Sequence, residues 1–515
     1  MEDLLLGVDL GTTGTRTALF TATGETLAEA SAPTPLRRPG PGAVDQKPDD
    51  FYLAATRTIA ECLSRSGVAN RQVAAIGITG QMAGVLGIDR SWRPSIPYDS
   101  WLDTRCSPDV AFLERELGDD LVERTGCPAM VNHAPKLRWW QRQDPGAFSR
   151  TAKFLMPSAY VAGKLAGLTA ADAFIDHTYL HFTGLADARR GAWSSPLRAA
   201  LGMPESVLPR IVEPATVIGH LTGEAAGQCG LPPGVPIAAG LGDTAAGALG
   251  AGITRPRQLL DTAGTAAVLA ASTDQFRPDT RERTLIVMRG ALSEQWISLS
   301  YLSGGSLLSW FQTAITAGDD LHAEVNFARL EEAFAGIAAG SDGVLFIPYL
   351  DGRVLPSDPA RRGAWAGLDR RHTWKHLGHA ILESIAYEYA GYLRILRALH
   401  PDLAPNQTRV VGGGAHGNLW NRMKATVLGV EYATLDRDEV SCWGAALVAG
   451  HAVGLFPDLA QAASASTAIR DRFAPNWMEH AVYARLIEQY RAVLEALAAV
   501  RAPMTTVVDE PEAAP

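Results

Sequence analysis

The chain is 515 residues long, 47% hydrophobic and 20% charged, a length that allows two or more domains and a balance that excludes a disordered or membrane-embedded chain. Its 46 basic and 55 acidic residues give a net charge of -9 with no long single-sign run. That excludes, on composition, a nucleic-acid or anionic-membrane surface, so any anionic ligand must be held by local groups. Five scattered cysteines (Cys62, Cys106, Cys127, Cys229, Cys442) form no C-x-x-C pair, which argues against a disulfide scaffold or a structural zinc site and for a reducing cytoplasm. The acidic, briefly apolar start lacks the basic opening and long apolar core of a signal peptide, so a cytoplasmic location is expected.

Residues 4–9 read as a short buried strand, 11–15 as a tight turn, 16–20 as a second strand, 22–25 as another turn and 26–30 as a third strand. A β-meander therefore opens the protein. Helical spacing over 49–66 and 136–143 flanks a buried strand at 73–79, the alternation of an α/β protein with mixed sheets. No uncharged apolar run reaches about 18 residues, so nothing is expected to span a bilayer. A second cycle begins near Val235, where apolar residues lead to Gly242-Asp243 and a small-residue stretch. Residues 259–269 then loosely repeat the opening strand, turn and strand, with Asp261 and Gly264-Thr265. Two related lobes would explain the likeness; so would chance recurrence of Gly-Thr turns in a Gly- and Ala-rich chain. The acidic, Pro/Ala-rich end is expected to fray.

The turn at 11–15 lies between two strands, where glycines let the backbone approach a ligand and amides and hydroxyls can donate to phosphate oxygens. Gly264-Thr265 offers the same equipment. Two such turns, each after an apolar strand with an Asp at its end, point to a nucleotide phosphate clamp. A P-loop is not expected, since G-x-x-x-x-G-K-[ST] is absent. Residues 412–417 satisfy G-x-G-x-x-G between an apolar strand at 409–411 and a helical stretch at 419–428, which imitates a dinucleotide fingerprint. A glycine loop packing against adenine or ribose explains the same pattern.

Asp243, within Gly240-Leu241-Gly242-Asp243-Thr244-Ala245-Ala246-Gly247, is freed from large neighbours and is the candidate catalyst. It also reads as the N-cap of a helix over 244–249, and the two roles are compatible, because a helix N-terminus favours the ionised, proton-accepting form. Trp101, Asp103 and Arg105 alternate as on an extended segment, which would put all three on one side. They read as a sugar-binding surface or as a surface salt bridge beside a packed Trp. The sets His372, His376, His379 and His177, His181 lack a partnered metal spacing and read as ordinary polar positions.

Taken together, these motifs resemble the FGGY family of carbohydrate kinases over nearly the full length, and within it are most similar to the xylulokinases. The family's opening phosphate loop is matched by Gly7-Val8-Asp9-Leu10-Gly11-Thr12-Thr13-Gly14-Thr15-Arg16, and its sugar segment Gly-Gln-Met-His-Gly by Gly80-Gln81-Met82-Ala83-Gly84. The Trp-x-Asp-x-Arg element is Trp101-Leu102-Asp103-Thr104-Arg105. The catalytic segment is the one around Asp243, the second phosphate loop Gly264-Thr265, and the adenosine loop Gly412-Gly413-Gly414-Ala415 with Asn418. The C-terminal signature is met in full by Gly363-Ala364-Trp365-Ala366-Gly367-Leu368 and, after seven residues, by His376 through Glu383. The N-terminal signature is kept in part: Lys136-Leu137-Arg138-Trp139 fits, while His133 replaces a Pro, Ser or Thr.

The resemblance implies two actin-like (ribonuclease H-like) lobes, each a mixed five-stranded sheet with flanking helices, with ATP and sugar in the cleft between them. Residues 1–248 would form the N-terminal lobe and 249–500 the C-terminal lobe, with 501–515 a disordered tail. It implies Asp243 as general base, and Mg²⁺ held by Asp9 and Asp243. Thr12, Thr13, Arg16, Gly264 and Thr265 would meet the phosphates, and Gly305, Gly414, Ala415 and Asn418 would line the nucleotide pocket. Gln81, Met82, Ala83, Trp101, Asp103 and Asp243 would form the sugar site, and lobe closure would exclude water. The implied reaction is phosphorylation of a free sugar or polyol by Mg-ATP, with D-xylulose giving D-xylulose 5-phosphate as the leading case.

Three departures bear on the substrate. Ala83 replaces the family's His; Arg353 and Val354 stand where relatives carry Glu-Arg; and bulky side chains at Asp176-His177-Thr178-Tyr179 would narrow the sugar site. The same chemistry on gluconate, ribulose or a four- or five-carbon polyol is the first alternative. An actin-like nucleotide-gated binding protein is the second, and a dinucleotide oxidoreductase the third. A homodimer is the expected assembly, since family members are often dimers.

Overall fold

The computed structural model describes residues 3–316 and 327–499; the expectation for 501–515 lies outside the described residues. The described chain divides into two compact units, the first carried by 3–258, 271–298 and 435–468, the second by 259–270, 299–316, 327–434 and 469–499.

The expected meander opens the first unit as β1 (Leu4–Leu10), β2 (Gly14–Thr21) and β3 (Thr26–Pro33). β1 and β2 pair antiparallel from Leu4↔Thr21 to Leu10↔Thr15. Helix α1 (Pro48–Ser66) follows, with Pro48 pre-set for the first turn and Asp49 and Asp50 facing the positive end of its dipole. β4 (Val73–Gly80) then pairs parallel with β1, bringing Gly7 opposite Gly77 and Asp9 opposite Thr79. Three short strands complete the sheet: β5 (Val217–His220), β6 (Pro236–Ala238) and β7 (Leu241–Gly242). Strand order is β5-β6-β4-β1-β2-β3, with β7 on the end of β4.

The run β3-β2-β1-β4-β6 is the five-stranded mixed sheet the resemblance implies, and β5 and β7 extend it to seven. The reason for β7 is local. Gly240 takes φ 79, and a Cβ there would lie 1.8 Å from the Ile78 carbonyl oxygen, so the chain crosses β4 at contact distance and pairs Leu241 with Thr79 and Gly242 with Gly80. Helix α2 (Asp243–Gly250) starts at the next residue.

One helix, Val440–Ala452, covers this sheet at backbone contact. A Cβ on Gly7 would meet the Cys442 carbonyl oxygen at 1.9 Å, and one on Gly77 the Ala445 carbonyl oxygen at 1.9 Å. Backbones can approach this closely only where both strands carry glycine. Aliphatic side chains of β1 and β4, among them Leu6, Val8, Ile76 and Ile78, join Phe51 and Ile59 of α1 in the core.

The second unit repeats the plan. β8 (Leu259–Ala263), β9 (Ala266–Thr273) and β10 (Trp296–Ser303) precede helices α3 (Gly305–Phe311) and α4 (Trp374–Leu399). Then come β11 (Gln407–Val411), α5 (Asn418–Leu428), β12 (Glu431–Leu435) and β13 (Ile469–Phe473). These strands follow the order β10-β9-β8-β11-β12-β13, with β8 parallel to β11 and β11 parallel to β12. The first five reproduce β3-β2-β1-β4-β6, so the loose repeat in the sequence corresponds to a repeated topology.

The second half of the C-terminal signature, His376 through Glu383, lies on α4, and this helix does structural work through Glu383 and, beyond the signature, Glu388. Glu383 accepts from Gly340 N at 2.7 Å, Ser341 Oγ at 2.8 Å and Tyr483 OH at 2.9 Å. Glu388 accepts from Tyr349 OH at 2.9 Å and Tyr490 OH at 2.5 Å. Fully buried carboxylates persist when each is surrounded by donors. All five cysteines are buried free thiols, and among the described residues no helix is long and apolar enough to cross a membrane.

Candidate active site

In the first unit, the loop between β1 and β2 lines a cavity of about 440 Å³ together with Asp9, Arg16 and residues 31–33. Gly11 N donates to Gly14 O at 3.0 Å, which folds the loop into a tight turn. Trp101 Nε1 donates to Thr12 Oγ1 at 3.0 Å. Gln46, which sequence reading passed over, ties loop to sheet: its Nε2 donates to Thr12 O at 3.1 Å and Thr34 O at 3.0 Å. Gln81 in turn donates from Nε2 to Gln46 Oε1 at 3.0 Å and Gly11 O at 3.3 Å. Its Oε1 is buried with no hydrogen-bond partner among the described residues. Thr12, Gln81 and Trp101 are thus one connected group.

Asp9 ends β1. Its Oδ1 is buried and unpartnered, and burial, followed by the charges of Asp243 and Glu439, pushes its carboxyl up to about 7 against the lowering effect of Arg16. Arg16 itself forms an exposed ion pair with Glu439 at 3.3 Å. Asp243 is the first residue of α2, with Gly242 at the N-cap, one position later than a capping role would place it. Its Oδ1 accepts from Thr244 N at 2.6 Å and Thr244 Oγ1 at 3.2 Å, which leaves Oδ2 for another proton. Burial raises its carboxyl to about 6, with the two Thr244 bonds acting in the opposite direction.

Two carboxylates with an orphaned oxygen suit a divalent cation. Among the described residues no set of three or more His, Cys, Asp or Glu could hold a metal. The unpartnered Asp9 oxygen is the kind of donor that suits Mg²⁺, which is held by one or two carboxylates and completes its shell with water and substrate phosphates.

The other sugar-side residues are placed as follows. Met82 packs on Gly242, where a Cβ would lie 2.5 Å from its Cε. Ala83 is buried in the left-handed region at φ 62. The alternation expected for Trp101, Asp103 and Arg105 is broken by a turn: Trp101 is 37% exposed and Asp103 1%. Asp103 is committed to its own neighbours, accepting from Val44 N at 2.9 Å and Arg105 Nε at 2.8 Å. The segment 176–179 is buried and turned inward, and Thr178 Oγ1 accepts from Gly242 N at 2.9 Å.

In the second unit, the glycine motifs meet. Gly305 N donates to Gly264 O at 2.9 Å and Gly304 N to Thr265 O at 3.0 Å. A Cβ on Gly414 would lie 2.5 Å from Ala263 Cβ, and one on Gly412 3.0 Å from Ala263 O. Ala415 N donates to Gly412 O at 3.0 Å, and Asn418 opens α5. The structure therefore brings Gly264, Thr265, Gly305, Gly414 and Ala415 to one place. Glu331, which no motif flagged, accepts from Trp420 N at 3.0 Å at the start of the same helix.

Comparison with known proteins gives this arrangement a class. The sequence model of the FGGY family of carbohydrate kinases matches with its N-terminal domain over residues 4–250 and its C-terminal domain over residues 288–453. The chain belongs to that family. It is a sugar kinase, with ATP and a sugar as substrates, and membership decides against the dinucleotide and binding-protein readings. It is 27% identical to a xylulose kinase of Bacillus subtilis over 95% of this chain and 96% of that one. To a xylulose kinase of Klebsiella pneumoniae it is 30% identical, over 83% and 85%. The solved xylulose kinase of Rhodospirillum rubrum superposes with a TM-score of 0.86 at 28% identity, over 96% of this chain and 99% of that one.

Proposed function

We propose that the chain transfers the γ-phosphoryl group of ATP to a hydroxyl of D-xylulose, giving D-xylulose 5-phosphate, with Asp243 as the general base. The observation that carries this is the half-buried Asp243 carboxylate at the head of α2, held on one oxygen by Thr244 and raised toward neutral pH by burial. Such a group accepts a proton in the transition state and is worth roughly 10²–10⁴-fold in rate. The names of the relatives support the ketose.

Thr12, Thr13 and Arg16 in the first unit, and Gly264 and Thr265 in the second, would meet the phosphates through amides, hydroxyls and one guanidinium. Arg16 would leave Glu439 or share itself between the two. Gly305, Gly414, Ala415 and Asn418 would hold the nucleoside. Gln81, with its unpartnered buried Oε1, would accept from a sugar hydroxyl. Met82, Ala83 and Trp101 would shape the rest of that site, Asp103 supporting it from behind. Mg²⁺, held by Asp9 with Asp243, would supply charge neutralisation at the transferring phosphoryl group. Residence in the cytoplasm and a homodimer are part of the same proposal.

The test is ADP release with Mg-ATP across D-xylulose, D-ribulose, gluconate and four- and five-carbon polyols, with a no-sugar blank and Asp243→Ala. D-xylulose should stimulate most, and Asp243→Ala should lose on the order of 10²-fold or more. A blank as fast as every sugar, or an Asp243→Ala variant that still turns over, overturns the reading.

A further inference from the structure

The catalytic segment is clamped by residues 64 positions away. Phe174–Asp176 forms a short strand, and His177–Tyr179 a single 3-10 turn capped by Asp176, whose Oδ1 accepts from Thr178 N at 2.9 Å. The Thr178 hydroxyl has one proton, and that proton goes to the same Asp176 Oδ1 at 2.5 Å. Its lone pairs therefore face outward from the turn, and one receives the Gly242 N–H at 2.9 Å. Gly242 is the N-cap of α2, and Asp243 follows it.

The other side of Gly242 is closed as well. Met82 lies where a Cβ would be 2.5 Å from its Cε, so the peptide before Asp243 is held between a methionine and a threonine hydroxyl. The next residue of the turn, Tyr179, donates its hydroxyl to Gly80 O at 3.1 Å, and Gly80 is the β4 residue paired with Gly242. Thr178 and Asp176 are 0% and 2% exposed, so no water competes for these bonds. The segment thus grips both members of the strand pair that aims Asp243.

We infer that Thr178, oriented by Asp176, is a positioning residue for phosphoryl transfer: it fixes the Gly242 peptide and thereby the direction of the Asp243 carboxylate. The inference rests on Asp243 being the general base. It assigns a role to side chains that act through the Gly242 peptide. A base displaced by a fraction of an ångström loses rate while substrate binding survives, so the signature is a fall in kcat with KM retained.

Thr178→Val keeps the shape and removes the hydroxyl; Thr178→Ser keeps the hydroxyl. Each is compared with the unaltered enzyme and with Asp243→Asn for kcat, KM for ATP and sugar, ADP affinity by calorimetry, and thermal midpoint. Expected is a fall of about tenfold or more in kcat for Thr178→Val, with both KM values and ADP affinity within about threefold, and recovery of most of the rate in Thr178→Ser. Full activity in Thr178→Val, or a loss that Thr178→Ser shares, overturns the inference. So does a loss that comes with weakened ADP binding or a collapsed thermal midpoint, because the bond then serves the fold alone. If Asp243→Asn still turns over, the base itself is misassigned; if Asp243→Asn is dead and Thr178→Val is not, only the positioning role fails.

Discussion

Gly77→Ala tests whether the glycine seam under helix Val440–Ala452 sets the architecture of the first unit. The added Cβ would sit 1.9 Å from Ala445 O and 2.5 Å from Ala445 C. Neither atom belongs to a side chain that can rotate away, so the helix must retreat by about 1 Å or more to restore contact distance. A gap of that size forfeits roughly a quarter to a half of the dispersion attraction along the lifted face, and that helix is buried from Val440 to Gly450 apart from Ser441. Overpacking of this kind costs typically about 1–3 kcal/mol, and a backbone obstacle places Gly77→Ala at the upper end. At about 1.5 °C per kcal/mol for a unit of more than 300 residues, the thermal midpoint should fall by roughly 4–5 °C. Gly227→Ala is the control: it is exposed on a short helix with nothing within 4 Å of the new carbon, and should hold or raise the midpoint. Gly7→Ala meets Cys442 O at the same 1.9 Å, so one displacement of the helix relieves both clashes and the double variant should lose less than the sum. Differential scanning calorimetry at one scan rate reads all four. A Gly77→Ala midpoint within about 2 °C of the parent, or strictly additive losses, would refute the reasoning.

Because burial places the Asp243 carboxyl near 6, kcat should be full above that pH and fall about tenfold per unit below it as the base is protonated; a flat profile down to pH 5 at saturating substrate contradicts this. Asp9, raised to about 7 without a cation, binds a proton in competition with Mg²⁺, so the Mg²⁺ concentration for half-maximal rate should climb as pH drops through 7. Asp9→Asn should raise it by about tenfold or more above pH 7, where Asp9 is ionised, and by progressively less below; an unchanged Mg²⁺ titration above pH 7 would remove Asp9 from the metal site. Lys424→Met should be severely destabilising, by about 3–5 kcal/mol, because it leaves Asp261 buried without its cation; chemical denaturation with an unchanged midpoint would contradict that.

What was legible in the sequence was what local pattern carries. The opening meander, the strand at Val73–Gly80, the helix beginning at Asp243 and the glycine loop ahead of Asn418–Leu428 all lie within about three residues of where periodicity and turn chemistry put them. Even the repeated lobe could be glimpsed, since a strand ending in Asp and followed by Gly-Thr occurs at the head of both sheets. The sheets' additional strands could not. β7 has two residues and exists because Gly240 lets the chain cross β4, a long-range event with no period of its own. Gln46 was missed for the same reason: it acts through hydrogen bonds to distant peptides and to Gln81, and a lone Gln has no spacing to betray it; Thr178 was noticed only for its bulk, because its hydrogen bond to the Gly242 peptide leaves no local pattern. The alternation of Trp101, Asp103 and Arg105 misled because period 2 implies a common face only on extended backbone, and the chain turns there.

The repeated topology also shows how two copies of one plan diverge in chemistry. Asp9 and Asp261 stand on the first strand of their respective sheets, each paired with the parallel fourth strand. Asp261 is fully buried, ion-paired with Lys424 and hydrogen-bonded to Tyr389 OH at 2.8 Å. Its charge is neutralised within the fold, which leaves nothing to attract a cation, and the pair serves to pin β8 to α5 and α4. Asp9 has no such lysine. Its nearest cation, Arg16, is 61% exposed at the side chain and engaged with Glu439. Its other charged neighbours, Asp243 and Glu439, are anions that make ionisation harder. Where the fold supplies a lysine, as it does to Asp261, the strand's carboxylate becomes a structural ion pair; Asp9, faced mainly by anions, is pushed by burial and charge repulsion toward its protonated form, the electrostatic setting in which the proposed cation would bind.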